Sequence, residues 1–312
     1  MSTKERPDHL DHLERVLIAV DLTSISDRVL RRVVLLPLAP TALVTVFHVV
    51  PDDLPYWAQQ RALRDARKAL REEVAHLRGS LPRGVHIEGR VEVGSGPTKI
   101  AQVAKALNAD LIVMGRGGGR AVRDTFLGST AERVIRRGQL PVLAVRLPAR
   151  TAYRKPALAL ELDASAPQVI EWTRRVLPLK LPRITVIHAV DTPYRGVAYP
   201  SLSREDAEGY DAELELQAVR KIVKWFEHAE PRRATREALR WKPYVRSGSA
   251  RLVIAKAVKR ADNDLLVLGT RGRTGLAYVV LGSVAGDVLR EVTCDVLVVP
   301  PTQKRRGGQR AR

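Results

Sequence analysis

"VRSGSARLVIAKAVKRADNDLLVLG", residues 245–269, lines up without a gap against "VEVGSGPTKIAQVAKALNADLIVMG", residues 91–115. Gly94 meets Gly248, Ile100 meets Ile254, Asp110 meets Asp264 and Gly115 meets Gly269. The register holds through Gly118 and Gly272, Gly128 and Gly282, and Ser129 and Ser283, then through "PVLAV" opposite "DVLVV". Self-similarity of this extent is a duplication. Toward the start of each half the offset shrinks from 154 to 142 at Asp21 and Asp163, and to 140 at His48 and His188. The second copy therefore carries about fourteen extra residues inside 192–241. The halves meet near "LPARTAYRKP", residues 147–156, which has two prolines and no apolar period. We expect one domain over 1–149, a second over 155–302, and a basic, disordered tail over 303–312.

Composition agrees with two domains. The chain's 312 residues exceed one typical domain and suit two compact cores. With 45% hydrophobic and 28% charged residues it belongs to the globular class. Cys294, the single cysteine, has no disulfide partner and sits in apolar "TCDVLVVP", which suits a buried thiol in a reducing compartment. The charged opening "MSTKERPDHLDHLER" offers no apolar core for a signal peptide, so a cytoplasmic location is expected. The long uncharged run Val33–Val50 is divided by Pro37 and Pro40, which end a helix and leave "TALVTVFHVV" as a short buried strand, not a membrane span. Lys and Arg outnumber Asp and Glu by 53 to 34, and a net +19 attracts phosphates of any kind. Aromatic residues are only 4%, so stacking platforms for single-stranded nucleic acid are sparse. The tail from Lys304 is either a solvated basic segment or a nucleic-acid contact.

Each half alternates strand and helix. "RVLIAVD" reads as a buried strand, 27–36 as a short helix and "ALVTVFHVV" as a second strand. Leu63, Ala66, Leu70, Val74 and Leu77 recur at spacings of three and four, the stripe of an amphipathic helix ended by Gly79. "VHIEGRVEVG" is a strand, Ile100, Val103 and Leu107 mark a helix, "ADLIVMG" is the fourth strand, "STAERVIRRG" a helix and "PVLAVR" the fifth strand. Such alternation predicts an α/β fold: two tandem open parallel sheets covered by helices on both faces. Ligands of such sheets bind beyond the carboxyl ends of strands, where strand order reverses.

Gly115 and Gly269 end strands of that kind, and the glycine-rich loop after each leads to a helix starting past Gly128-Ser129 or Gly282-Ser283. Glycine lets backbone N–H groups approach an anion, and a helix N-terminus adds unpaired donors and a positive dipole end. Ser129 and Ser283 can cap the helix or bond a phosphate, and Arg116, Arg120, Arg271 and Arg273 add charge. A plain turn with a helix cap is the other reading of one such loop, and repetition of the full spacing favours the phosphate cradle. Neither G-x-x-x-x-G-K-[ST] nor G-x-G-x-x-G is present, since Arg120 stands where the last glycine of "GRGGGR" would be needed.

These residues resemble the universal stress proteins in tandem form. Nucleotide-binding members carry G-x2-G-x9-G-[ST], matched by Gly115, Gly118, Gly128 and Ser129, and by Gly269, Gly272, Gly282 and Ser283. The resemblance implies a five-stranded Rossmann-like sheet in each half, binding ATP or a related nucleotide (AMP, ADP), with Mg²⁺, between the first and fourth strands. By the same resemblance the site includes Ala19, Asp21, Val49, Met114 and Thr130 in the first copy. In the second it includes Asp163, Ala189, Leu268 and Val284. An aspartate at the end of the first strand suits ribose hydroxyls or Mg²⁺ held through water, but Asp21 equally suits a cap on the next helix. Three departures separate the copies, one being Ala121 where the second copy has Gly275. Glu161 stands where the first copy has Ala19 and threatens to crowd or repel adenosine, while Glu132 forms an S-x-x-E capping box with Ser129.

Catalysis has little support. His48 and His188 end buried strands, as core or cleft-wall residues rather than bases, and no zinc spacing or nucleophile elbow is present. The expected function is a nucleotide-binding stress-response regulator, an ATPase at most weakly; the alternatives are a hydrolase and a basic nucleic-acid or protein scaffold. The exposed fifth strands of the two halves are expected to pair inside one chain, and a homodimer remains open.

Overall fold

The structure, a computed structural model, describes residues 12–23, 26–115, 129–137, 140–178, 180–191, 203–229, 239–270 and 282–301. The first half runs β1 (Leu13–Ala19), α1 (Ser26–Val34), β2 (Leu38–Val50), α2 (Tyr56–Arg78), β3 (His86–Val93), α3 (Gly96–Ala106), β4 (Leu111–Gly115), α4 (Ser129–Arg137) and β5 (Val142–Val145). The second runs β6 (Pro156–Ala159), α5 (Ala166–Val176), β7 (Ile184–Val190), α6 (Arg204–Ala229), β8 (Trp241–Ser247), α7 (Ala250–Ala261), β9 (Leu265–Gly269), α8 (Ser283–Glu291) and β10 (Asp295–Val299). The tail from 303 and, inside the segment 192–241 that carries the extra residues, 192–202 and 230–238 lie outside the described residues. No helix among those described is long and apolar enough to cross a membrane.

The strands form one sheet in the order β3-β2-β1-β4-β5-β10-β9-β6-β7-β8. Every pairing is parallel except β5 with β10, where Leu143 sits opposite Leu297. The central strands are apolar on both faces because helices cover both: the first four residues of "LIVMG" (β4) and "LLVLG" (β9) are buried. On α2 the buried residues are Ala66, Leu70, Val74 and Leu77, the stripe expected from their spacing.

Two expectations change. The buried side chains do not divide into one core per half. One cluster lies beneath α1, α2, α5 and α6, with Val29, Leu70, Ile170 and Ile222. The other lies beneath α3, α4, α7 and α8, with Ile100, Val134, Val258 and Val288. Each spans both halves, because the β5–β10 pairing makes the sheet continuous. Strand β2 also starts earlier than its prolines suggested, at Leu38, and runs through Pro40. The partner register shifts there, from Leu13 opposite Leu38 to Arg15 opposite Leu43, and such an irregularity tolerates a residue with no N–H.

Two aspartates matched by the repeat hold equivalent places. Asp110 Oδ2 accepts the Glu14 and Arg15 amides, both at 2.8 Å, and Asp264 accepts those of Arg154 at 2.6 Å and Lys155 at 3.0 Å. Each carboxylate ties the loop before β4 or β9 to the first strand of its half.

The junction has no such symmetry. The Asp295 carboxylate, fully buried, accepts the amides of Arg146 (2.7 Å) and Leu147 (2.8 Å) and the Tyr153 hydroxyl (2.8 Å). Arg32 Nε of α1 lies 3.0 Å from Oδ2, the oxygen that accepts the Tyr153 hydroxyl, and the Arg32 guanidinium stacks on the Tyr153 ring at 4.1 Å. Arg146 donates to the carbonyls of Leu289 and Val292, closing the C-terminal end of α8.

Removing this carboxylate strands a buried guanidinium and three donors. Asp295→Ala is expected to lower unfolding stability by about 3–5 kcal/mol, measured by urea denaturation. The same region sets an alkaline limit. Burial, then the Asp295 charge, pushes the Cys294 thiol up to about 12 and the Tyr153 phenol well above its ordinary value. In the unfolded chain these groups release protons from about pH 8.5–10, while the folded chain retains them, so stability is full below that range and falls as pH rises through it. The urea midpoint should hold from neutrality to about pH 8.5 and drop beyond it, and Cys294→Ala with Tyr153→Phe should flatten that drop.

Candidate functional site

In each half the first and fourth strands are neighbours and their connections leave in opposite directions. Ala19 pairs with Met114 between β1 and β4, and Ala159 with Leu268 between β6 and β9. This is the reversal point where α/β sheets open a crevice. The two crevices differ in size. That of the second half holds a cavity of about 440 Å³ lined by Ala159, Glu161, Ser165, His188, Ala189, Asp191, Gly248, Ser249, Leu268, Gly269, Thr270, Gly282, Ser283 and Val284, among others. The equivalent space in the first half is about 90 Å³, lined by Ala19, Val20, Asp21, Ser26, Val29, Ile100, Met114, Gly115 and Thr130.

The candidate residues therefore divide. Ala189, Leu268, Gly269, Gly282, Ser283 and Val284 come together around the larger cavity, and Ala19, Asp21, Met114, Gly115 and Thr130 around the smaller. Val49 packs against the core and Asp163 is exposed, both outside these linings. Gly118, Gly128, Gly272 and the four loop arginines lie outside the described residues, as does the side chain of Ser129.

Two helices begin at the larger cavity. The N-cap of α8 is Gly282 and that of α7 is Ser249, neither making a side-chain cap bond. Their first-turn amides lack intrahelical acceptors and, with the positive dipole ends, give this wall a polarity that favours an anion. Gly248, just before α7, has φ +145°, a conformation that favours glycine, and Gly94 has the same one at +149°. A Cβ on Gly269 would lie 3.0 Å from Val169 Cγ2, so the first motif glycine lets β9 pass close to α5.

The strand-end aspartates are engaged locally. Asp21 Oδ1 accepts the Thr23 amide (3.1 Å), the Thr23 hydroxyl (2.7 Å) and the Ser26 hydroxyl (3.2 Å). Asp163 Oδ1 accepts the Ser165 amide (2.9 Å) and hydroxyl (2.5 Å). Both carboxylates thus order the turn into the next helix. The two turns are equally long, residues 20–25 between β1 and α1 and 160–165 between β6 and α5, so in strand register Ala19 corresponds to Ala159 and Asp21 to Glu161, and Asp163 lies two residues further into its turn. His48 Nδ1 lies 2.9 Å from the Val20 carbonyl and His188 Nδ1 2.8 Å from that of Leu160. A carbonyl only accepts, so Nδ1 carries the proton in both rings. The histidines brace adjacent strand ends, and His188 is also a cavity wall. Glu132 turns toward Arg136, whose Nη2 lies 2.7 Å away.

Sequence reasoning passed over Gly248, Ser249, Thr270, Ser165 and Asp191. The Gly94–Gly248 match was the available signal for the first two, a glycine kept at a strand-to-helix turn in both copies. Among the described residues no group of three or more His, Cys, Asp and Glu is placed to hold a metal.

The model of the universal stress protein family matches residues 12–146 and 153–300. The chain is 38% identical over 61 residues to Universal stress protein E homolog of Haemophilus influenzae, a stretch spanning 20% of each chain. It is 28% identical over 152 residues to Universal stress protein Sll1388 of Synechocystis, covering 42% of this chain and 97% of the relative. A universal stress protein from Archaeoglobus fulgidus superposes with a TM-score of 0.64 at 17% identity, over 92% of this chain and 96% of that one, which shows the shared fold.

If Asp21 and Asp163 act through the turns they order, Asp21→Ala and Asp163→Ala should each lower stability by about 1 kcal/mol in thermal or urea unfolding.

Proposed function

The chain belongs to the universal stress protein family, and from that membership we propose an adenine-nucleotide-binding regulatory protein whose working site is the second-half cleft. One observation carries the reading. Motif residues Gly269, Gly282 and Ser283 share a cavity of about 440 Å³ with two helix N-termini, whereas the first-half space is about 90 Å³. Small-molecule sites span roughly 300–1,000 Å³, so only the larger cavity suits a nucleotide.

In this reading the phosphates of ATP, ADP or AMP meet the first-turn amides of α8 and α7, with Mg²⁺ accompanying them. Leu268 and Ala189 offer apolar surface to the base, and the hydroxyls of Ser165, Ser249 and Thr270 supply orienting hydrogen bonds. Glu161, which holds in strand register the place of Asp21, brings a negative charge to the same wall and weakens affinity for an anionic ligand. The role is binding with slow hydrolysis at most, in the cytoplasm, the bound state altering association with a partner or a second copy.

Calorimetric titration with ATP and Mg²⁺ tests this, after checking whether nucleotide co-purifies. The expected result is one nucleotide per chain, binding abolished by Gly272→Val, unchanged by Gly118→Val, and strengthened several-fold by Glu161→Ala. Loss of binding in Gly118→Val alone would transfer the site to the first half. A wild-type protein that binds nothing and carries nothing would end the nucleotide reading.

A further inference from the structure

Helix α2 carries a feature that the nucleotide cleft does not use. Trp57, Arg61, Arg64, Lys68, Arg71, Ala75 and Arg78 follow one another at alternating steps of four and three, and all are exposed. That spacing sets them in one row along a helix, about 1.5 Å of rise per residue, so the row runs roughly 30 Å. Its head is aromatic. Tyr56 and Trp57 are 78% and 72% exposed, more than any other large apolar side chain among the described residues. The row borders an open groove against the edge strand β3, where Arg67, Arg71 and Arg78 face Gly89 and Val91.

The duplication supplies an internal control. If a charged row on this helix simply followed from the fold, α6 would repeat it, because α6 occupies the same place in the second half. Instead α6 carries Glu205, Asp206, Glu208, Asp211, Glu213 and Glu215 in its first twelve residues. The basic row therefore belongs to one copy only.

We propose that α2 docks single-stranded nucleic acid, the basic row following the phosphates and Trp57, with Tyr56, stacking on a base. A regular row of guanidinium and ammonium groups complements a polyanion, and an exposed aromatic pair at its end is the platform on which unpaired bases stack. The chain's +19 charge draws in such a ligand from a distance and repels a second copy, despite the acidic α6 that a copy would offer. Stacking on Trp57 favours unpaired bases over duplex.

The test is fluorescence anisotropy of a fluorescein-labelled oligo(dU) of about twelve nucleotides with the full-length protein. Replacing Arg61, Arg64, Lys68 and Arg71 together by alanine keeps good helix formers on an exposed face. It should weaken binding about thirtyfold or more near physiological salt and reduce the salt slope by about 3. Trp57→Ala should weaken binding about tenfold at every salt concentration. Calorimetric affinity for ATP should be the same in these variants as in wild type, which separates this surface from the cleft. The pair Arg64→Glu and Lys68→Glu gives a second version should the fourfold variant fail to fold, as judged by circular dichroism. Unchanged oligonucleotide affinity in the α2 variants, with loss on replacing Lys304, Arg305, Arg306, Arg310 and Arg312 by alanine, would overturn the proposal in favour of the tail. So would an α2-dependent dimer in sedimentation, or α2-dependent binding to phosphatidylserine vesicles, without oligonucleotide binding.

Discussion

One buried carboxylate holds the two halves in register. Asp295 opens the last strand of the second copy, yet its hydrogen-bond partners come from the end of the first copy and the linker: the amides of Arg146 and Leu147 and the hydroxyl of Tyr153. A charge taken wholly out of water is tolerated only when every lone pair finds a donor or a counter-charge, and Arg32 supplies the latter. The β5–β10 pairing is short, so the apolar contact there needs a directional fix, which this network provides. In the repeat register Pro141 stands where Asp295 does, and Pro300 where Arg146 does. The lock exists once per molecule, on the line where the copies meet.

Around that fixed line the copies have diverged. In the first, Ser26 reaches back to Asp21 and the crevice is small. In the second, Ser165 bonds Asp163 and the crevice is roomy, Gly248 and Ser249 bringing the start of α7 to it. On the outer helices the signs of charge are opposed, α2 being basic where α6 opens acidic. What both copies keep is structural: Asp110 and Asp264, the histidine bond across adjacent strand ends, and the glycine at φ near +145° to +149°.

The fold was legible because its signals are local and doubled. Alternating strand and helix patterns, the motif glycines and the 154-residue register each depend on near neighbours in the chain, and the order of elements followed from them. Pro40 misled because a proline's cost in a strand depends on whether its partner strand needs that N–H, which is a long-range fact. The same limit applies to Asp295. Nothing in "TCDVLVVP" distinguishes it from a surface aspartate, since its partners are more than 140 residues away in sequence. The crevice volumes were also hidden, depending on how side chains from several elements pack at the strand ends. Asp21 was readable both as a ribose ligand and as a turn-forming side chain, and only coordinates show its oxygen bonded to Thr23 and Ser26.

The positions of the cleft and of α2 constrain any communication between them. Helix α2 packs on β2 and β3 at one edge of the sheet, while the larger crevice opens at β6 and β9. Five strand intervals separate β2 from β9, at about 4.8 Å each, so the distance is roughly 24 Å. That is beyond the Debye length of about 8 Å at physiological ionic strength, and a phosphate bound in the crevice exerts little direct field on the α2 row. Any coupling between the two surfaces would therefore have to be mechanical. The available route is α8, whose first turn lines the crevice and whose last carbonyls are held by Arg146 at the edge of the first half. A displacement of α8 would reach Arg146, then Asp295 and Arg32, and so α1, on the face it shares with α2.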